Sequence, residues 1–382
     1  MSEPTSGGSP HQTAHRAWLR IDHDAIRANL AAVRSRAGDR SIIGVVKANA
    51  YGHGAVAVAR TLVAAGVDRL AVATLGEGLE LRAAGIGVRI LVFFRLTPGE
   101  AQRAIGADLE AVVYDVETSR MLEAAAAENG KRMAVQLKVD TGLGRQGIEP
   151  ERAVDLAVAV ARSRHLDLVG TYSHLAVPGE DDAYTEVQEL RLARTVDAMR
   201  SAGVDPGVVH IAASGGVLSG AMMGDAIRPG LLLYGMRPSW AAERDIALRP
   251  ALSVHALPLR IFDLRAGAAI GYGLRFRTGR ATRIATLGIG YGDGWPRVHV
   301  NNGWALVRGV RVPIVGAVSM DALAVDIGEV DGVTYGDEFV LIGEQGDQII
   351  TADEVAAERR TINYEVTTVL RERLPRIHVG GA

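Results

Sequence analysis

The densest chemistry in this chain lies in one ten-residue stretch, VVKANAYGHG, that begins at Val45. Lys47 follows an apolar, strand-like run, SIIGVV. A lysine at such a strand end sits in partly dry surroundings, where its amine loses its proton more readily and can attack a carbonyl group. Tyr51 and His53, with Gly52 and Gly54, add a hydroxyl, an imidazole and close backbone approach within the same loop. Taken alone, a lysine ending a strand also reads as an ordinary side chain reaching into water. A second group is Ala213-Ser214-Gly215-Gly216 and Arg228-Pro229-Gly230-Leu231, each at the end of an apolar run. A hydroxyl beside glycine-exposed N–H groups at a helix start is how an anion is cradled. Either turn alone fits a plain strand-to-helix connection; the two at consecutive strand ends point to a phosphate.

The elements that must position these residues alternate strictly. Apolar runs at SIIGVV, DRLAVA, RILVFF, EAVVYD, AVQLKV, LVGTYS, VVHIAA and DAIR are separated by helix-like stretches such as GAVAVARTLVAAG, VETSRMLEAAAAENG, PERAVDLAVAVARS and EVQELRLARTVDAM. The runs are continuously apolar, as parallel strands buried on both faces require. Eight such strand–helix repeats predict an α/β TIM barrel, whose active site lies at the C-terminal ends of its strands. Beyond Met236 the texture turns to strand-like segments punctuated by glycine, with a hairpin signal at VRGVRV and a capping-box spacing at Thr351 and Glu354. The expected organisation is a leader over 1–16, a barrel over 17–247 and a mainly β domain over 248–382. The strand over 17–22 is open to either domain.

Composition narrows the functional classes. The 382 residues suit two domains, and a formal net charge of −2 with mixed signs offers no footprint for nucleic acid or an anionic membrane. With no cysteine, disulfides, thiolate metal sites and cysteine nucleophiles are excluded. No zinc motif is present, and GEDDAYTE reads as a solvated helix start rather than a metal site. GIGYGDG misses the dinucleotide fingerprint because Asp293 stands where the third glycine belongs. Ser214 is not in a nucleophile elbow, since Ala212 replaces the first glycine. The polar N-terminus is no signal peptide and no apolar run spans a membrane, so a cytoplasmic location is expected.

VVKANAYGHG resembles the cofactor-attachment signature of the alanine racemase family, enzymes that use pyridoxal 5′-phosphate (PLP). Further matches follow in order: KVDTGLGRQG, the histidine of GTYSHLA, RPGLLLYG, IGYGLRF, IGYGDGWPR, PIVGAVSMDALAVD and TINYEV. The resemblance runs from about Trp18 to the C-terminus. It implies racemisation of an amino acid, L-alanine to D-alanine before others, by two bases. Lys47 would carry the cofactor and serve one face of the substrate; Tyr272, supplied by the β domain of a partner subunit in a homodimer, would serve the other. Tyr51, Ser214, Gly230, Leu231 and Tyr364 would hold the phosphate, His174 would pack against the pyridine ring, and Arg228 would hydrogen-bond its nitrogen. Guanidinium is a permanent donor, so it would keep that nitrogen unprotonated and the ring a weaker electron sink. Arg145 would bind the substrate carboxylate, braced by Lys138, which matches a lysine often carbamylated in the family. Met320 and Asp321 would close the partner's pocket.

Several positions depart from the family pattern. Ala213 stands where asparagine is usual before the phosphate-binding serine, and Phe93 and Phe94 replace a leucine–glycine pair. Gly271 precedes the catalytic tyrosine in place of serine, and HLAVPGE departs from the usual segment. None touches Lys47, Ser214, Arg145 or Arg228, so they bear on substrate identity rather than on cofactor binding. A racemase of serine, or of a longer or basic amino acid, is the neighbouring reading. PLP-dependent decarboxylases share the architecture but use a cysteine-bearing motif, and PLP-binding carriers are lone barrels without the second domain.

Overall fold

A computed structural model describes residues 15–241 and 246–381. The expected leader lies outside the described residues as far as residue 14. The chain divides into two compact units, one of His23–Arg249 and one formed by the stretch up to Asp22 together with Pro250–Gly380. Strand β1 (Ala17–Asp22) belongs to the second unit.

The first unit is a barrel. Its strands are β2 (Ser41–Val45), β3 (Arg69–Val72), β4 (Arg89–Val92), β5 (Ala111–Val113), β6 (Met133–Lys138), β7 (Leu166–Tyr172), β8 (Val208–Ala213) and β9 (Ala226–Arg228). They lie in the order β4-β3-β2-β9-β8-β7-β6-β5, and every pairing is parallel. A parallel bridge from Leu91 to Glu110 joins the two ends and closes the ring. Each apolar run of the sequence supplies one strand, because strands covered on both faces have no polar side to show. β9 is only three residues long, yet it bridges β2 and β8, completes the ring there and carries the second of the two loops read as a phosphate cradle.

Side-chain oxygens start four of the barrel helices. Thr74 and Thr97 form reciprocal capping boxes with Glu77 and Glu100 at helices Leu75–Ala83 and Pro98–Gly106. Asp115 and Asp181 cap helices Val116–Glu128 and Asp182–Ser201. Asp181 comes from GEDDAYTE, so one acid of that loop satisfies an orphan N–H at a helix start.

The second unit is built on a mixed sheet. After β10 (Leu252–Ala256) and β11 (Pro258–Leu264) comes a ribbon of β12 (Ala269–Ile270) and β13 (Phe276–Arg277). Then follow β14 (Thr282–Leu287), β15 (Trp304–Val307), β16 (Val310–Val315), β17 (Leu323–Asp326), β18 (Phe339–Gln345), β19 (Gln348–Ile350) and β20 (Arg376–Val379). The order is β11-β14-β17-β16-β15-β18-β10-β1-β20, with β19 on β18. β1 is antiparallel to β10 and parallel to β20, which ties both ends of the chain into this sheet. VRGVRV forms the hairpin β15–β16, with Arg308 and Gly309 both at positive φ as a type I′ turn needs. At Thr351 only half of a capping box forms: its hydroxyl accepts from Glu354 N at 3.0 Å, while the Glu354 carboxylate pairs with Arg311. The stronger charged partner wins that carboxylate. No helix among the described residues is long and apolar enough to cross a membrane.

Candidate active site

Lys47 lies just beyond β2 and is half-buried. The residues after it do something rare: Ala48, Asn49, Ala50 and Tyr51 all have φ between 50° and 55°, one turn of left-handed helix. Such a conformation costs an L-residue about 1–2 kcal/mol. The turn closes through Gly52 N donating to Ala48 O at 3.0 Å and Gly54 N to Asn49 O at 2.9 Å. Its product is a lysine at one end and a buried tyrosine at the other, Tyr51, whose ring lies 5.0 Å from that of Tyr234.

The cradle forms where β8 and β9 end beside β2. Ser214 Oγ accepts from Gly230 N at 3.1 Å and Leu232 N at 3.4 Å. A Cβ added at Gly230 would stand 2.5 Å from the Tyr51 hydroxyl. Glycine is therefore required there, and Tyr51, Ser214, Gly230 and Leu231 share one corner of the barrel rim. Ala213 begins the Ser214–Ser219 helix with no side-chain cap, the role its usual asparagine could take.

Arg228 is buried at the same rim. Its guanidinium donates to Ser173 O (2.8 Å), Ile211 O (2.9 Å), His174 Nδ1 (3.2 Å) and His210 Nδ1. Burial pushes its pKa down to about 10, which leaves it charged at neutral pH. Below it a column of polar groups descends through the barrel. His210 Nε2 meets Gln136 Oε1 at 2.8 Å, Gln136 Nε2 donates to Glu110 at 2.5 Å, and Glu110 pairs with Arg89 and Arg69. The polarity is consistent throughout: Arg228 donates to Nδ1, so the neutral imidazole carries its proton on Nε2 and passes it toward Gln136.

Burial, and then the Arg228 charge, hold both His210 and His174 well below the usual histidine pKa. The unfolded chain binds protons below about pH 6.5 that the fold refuses, so stability is present above that pH and falls as pH drops. His210 alone should remove about 1.4 kcal/mol per pH unit in that window. Denaturant titrations at pH 7 and 5.5 should show the loss, and an unchanged midpoint would rule out the neutral assignment.

The loop after β6 carries the remaining barrel residues. Lys138 is buried, with Nζ 4.5 Å from the centre of the Tyr172 ring; burial, Arg228 and Arg145 drive its amine well below the usual lysine range. The loop from Asp140 to Gly147 is cinched at its base, Asp140 N donating to Ile148 O and Ile148 N to Lys138 O. The Asp140 carboxylate gathers the N–H groups of Gly142, Leu143 and Gly144. That grip holds out Arg145, which is exposed. Burial first, and Arg145 second, lower the Lys47 pKa, while Glu77 opposes them. Phe93 lies with its ring 6.2 Å from that of Tyr172, and Phe94 is exposed.

Four expected residues lie in the second unit. Tyr272 stands at the tip of the β12–β13 ribbon between Gly271 and Gly273, 71% exposed. Met320 is also exposed, and Asp321 pairs with Arg373 at 2.6 Å. Under them Asp293, of the rejected dinucleotide-like motif, is fully buried. It accepts from Gly290 N and pairs with Arg16 at 2.7 Å and Arg373 at 3.4 Å. Arg16 thus anchors the end of the segment expected to be leader. Tyr364 is half-buried in helix Asn363–Thr368, its phenol pushed up to about 12 by burial. Glu77, Gln136, Glu110, His210 and Asp140 were not singled out from sequence. Only the Thr74–Glu77 spacing gave a signal, and it announces a cap rather than a site.

A parallel barrel with a lysine, a serine–glycine cradle and a buried arginine along one rim, followed by a β unit, defines the class of lysine-centred barrel enzymes with a second domain. Comparison with known proteins makes the class specific. Residues 21–238 match the alanine racemase N-terminal domain and residues 251–378 the alanine racemase C-terminal domain. An alanine racemase of Halothermothrix orenii is 38% identical over 94% of this chain and 96% of its own. The structure of alanine racemase from D-cycloserine-producing Streptomyces lavendulae superposes with TM-score 0.91 at 37% identity, covering 97% of this chain and 98% of that one. That of Bartonella henselae alanine racemase, with covalently bound pyridoxal phosphate, gives 0.84 at 29% identity, covering 96% and 100%. The chain belongs to the alanine racemase family.

Proposed function

We propose that Lys47 and Tyr272 are the two bases of this enzyme and that Lys47 also holds its cofactor. The chain is a PLP-dependent isomerase that interconverts L- and D-alanine, the reaction of its family. The observation that carries the assignment is the rim corner, where Tyr51, one turn on from Lys47, meets Gly230, whose N–H donates to the Ser214 hydroxyl and whose place a methyl group would block. Those residues fit a phosphorylated carbonyl compound: Tyr51, Ser214, Gly230 and Leu231 would take its phosphate, joined by Tyr364. Arg228 would donate to its ring nitrogen, His174 would lie against the ring, and Lys47 would bind its carbonyl carbon. Bound there, the group would draw electrons from the substrate's Cα–H bond and so acidify it. Lys47 Nζ takes or returns the α-proton on one face, and the Tyr272 hydroxyl does so on the other.

Arg145 would bind the substrate carboxylate in its bidentate fork. A neutral Lys138 amine is the form that adds carbon dioxide, and the carbamate would give Arg145 an anionic brace. Tyr272, exposed on its ribbon, belongs in the site of a partner subunit, as do Met320 and Asp321, which makes the working form a homodimer. Its place is the cytoplasm, where free amino acids and PLP are both at hand. Gly230→Ala should raise the PLP concentration for half-saturation at least about tenfold, a loss of about 1.4 kcal/mol, because the new methyl displaces Tyr51. Absorbance titration of the stripped enzyme measures it, and unchanged affinity would remove Gly230 from the cradle.

The test of the whole reading is α-proton exchange, followed by NMR in deuterated buffer over a panel of L-amino acids and a range of protein concentrations. Alanine should exchange and invert fastest, with activity per chain falling on dilution as subunits part. A preference for serine or a basic amino acid would make Ala213 and Phe93 specificity determinants and move the substrate assignment. Full activity in a proven monomer would remove Tyr272 from the partner's site.

A further inference from the structure

The left-handed turn after Lys47 is held by a carboxylate to which the site has so far given no role. Glu77 Oε1 accepts from Ala48 N at 2.6 Å, and Oε2 accepts from Ala73 N at 2.7 Å and Thr74 N at 3.0 Å. A capping box needs only the last of these bonds. The other two reach out of the helix, to the end of β3 and to the peptide that directly follows Lys47. From within the turn, Asn49 Oδ1 accepts at 2.7 Å from the N–H of Ala55, the first residue of helix Ala55–Ala64. The turn is therefore held by Glu77 at its first peptide and tied by Asn49 to the helix that follows, although Ala48, Ala50 and Tyr51 are of types that do not favour its backbone.

We propose that Glu77 is a positioning residue of the racemase site: by binding the Ala48 N–H it fixes the first peptide of the left-handed turn and so aims both Lys47 and Tyr51. Without that acceptor the Ala48 N–H loses its partner, and the turn is left to its local bonds, Gly52 N to Ala48 O among them, against the preference of Ala48. Lys47 and Tyr51 sit at opposite ends of one rigid turn, so relaxation moves the amine and the phosphate-side hydroxyl together. The proposal rests on Lys47 being the cofactor-bearing amine.

The test compares Glu77→Ala and Glu77→Gln with Thr74→Ala in the PLP-loaded enzyme. Thr74→Ala removes the other half of the capping box and leaves the bond to Ala48 intact, so it controls for helix capping. Three quantities are read: amide hydrogen exchange of the peptide spanning 46–52, visible circular dichroism of bound PLP, and the rate of PLP release. Borohydride reduction of each sample, with peptide mapping, records which lysine carries the cofactor. Glu77→Ala should speed exchange at 46–52 and PLP release at least about tenfold and alter the dichroism, with Glu77→Gln intermediate. Thr74→Ala should leave all three within about twofold of wild type, since a cap acts on its own helix. Equal effects of Glu77→Ala and Thr74→Ala, or none from Glu77→Ala, would overturn the positioning role. If Glu77→Ala does not fold, Glu77→Gln against Thr74→Ala decides on the same criteria. A label on another lysine in the wild type would instead overturn the assignment of Lys47, whatever Glu77 does.

Discussion

Lys47→Ala should abolish racemisation and leave PLP without a covalent anchor. A positioned general base contributes about 10²–10⁴-fold to a rate, and this substitution also removes the group that holds the cofactor. The expected fall in kcat is therefore more than about 10⁴-fold. The fold should survive, because Lys47 is half-buried and the turn that follows it is held by bonds of other residues. The two effects separate experimentally. Borohydride should fix PLP to the wild-type chain on the peptide containing Lys47 and fix none to the variant, and an added small amine should restore part of the exchange rate. A variant that still retains reduced PLP would show that another lysine does this work.

Tyr272→Phe should break the symmetry between the substrate's two faces. The phenyl ring preserves the volume of an exposed side chain and loses only the hydroxyl, so stability should hardly move. Inversion should fall about 10²–10⁴-fold. Both directions must fall together, because L- and D-alanine are of equal free energy and the equilibrium constant cannot change. The asymmetry appears in exchange without inversion: deuterium should still enter the enantiomer that presents its α-proton to Lys47, and much more slowly the other. Equal loss of exchange for both enantiomers would show that Tyr272 binds or orders the site rather than moving a proton.

What was legible in the sequence followed from physical necessity. Strands buried on both faces must be apolar throughout, so all eight barrel strands could be read, down to the three residues of β9. Gly230 could be read because a backbone approach tolerates no Cβ, and its place after Arg228 announced the turn. The left-handed turn could not be read: Asn49 alone tolerates positive φ, alanine on either side of it does not, and the bond at the first peptide of the turn comes from Glu77, distant in sequence. Asp293 was legible only as a misplaced glycine, and its pairings with Arg16 and Arg373 join residues far apart in the sequence. Long-range polar contacts carry no periodicity, and a buried Gln136 in an apolar strand looks like an exception until its neighbours are known.

The polar column beneath Arg228 bears on how such a chain can change over generations. Arg228, His210, Gln136, Glu110, Arg89 and Arg69 arise from six stretches of sequence but are linked by hydrogen bonds down to Glu110, with which both arginines at the end form ion pairs. Losing one member alone strands its neighbour, at about 1–3 kcal/mol for each buried group left unmatched. Six separate codons are thus bound into one heritable unit: Gln136 can drift only in company with His210 or Glu110, while the aliphatic residues beside them are free to exchange singly. The interior of this barrel should accordingly vary in blocks, with its polar members lost or kept together.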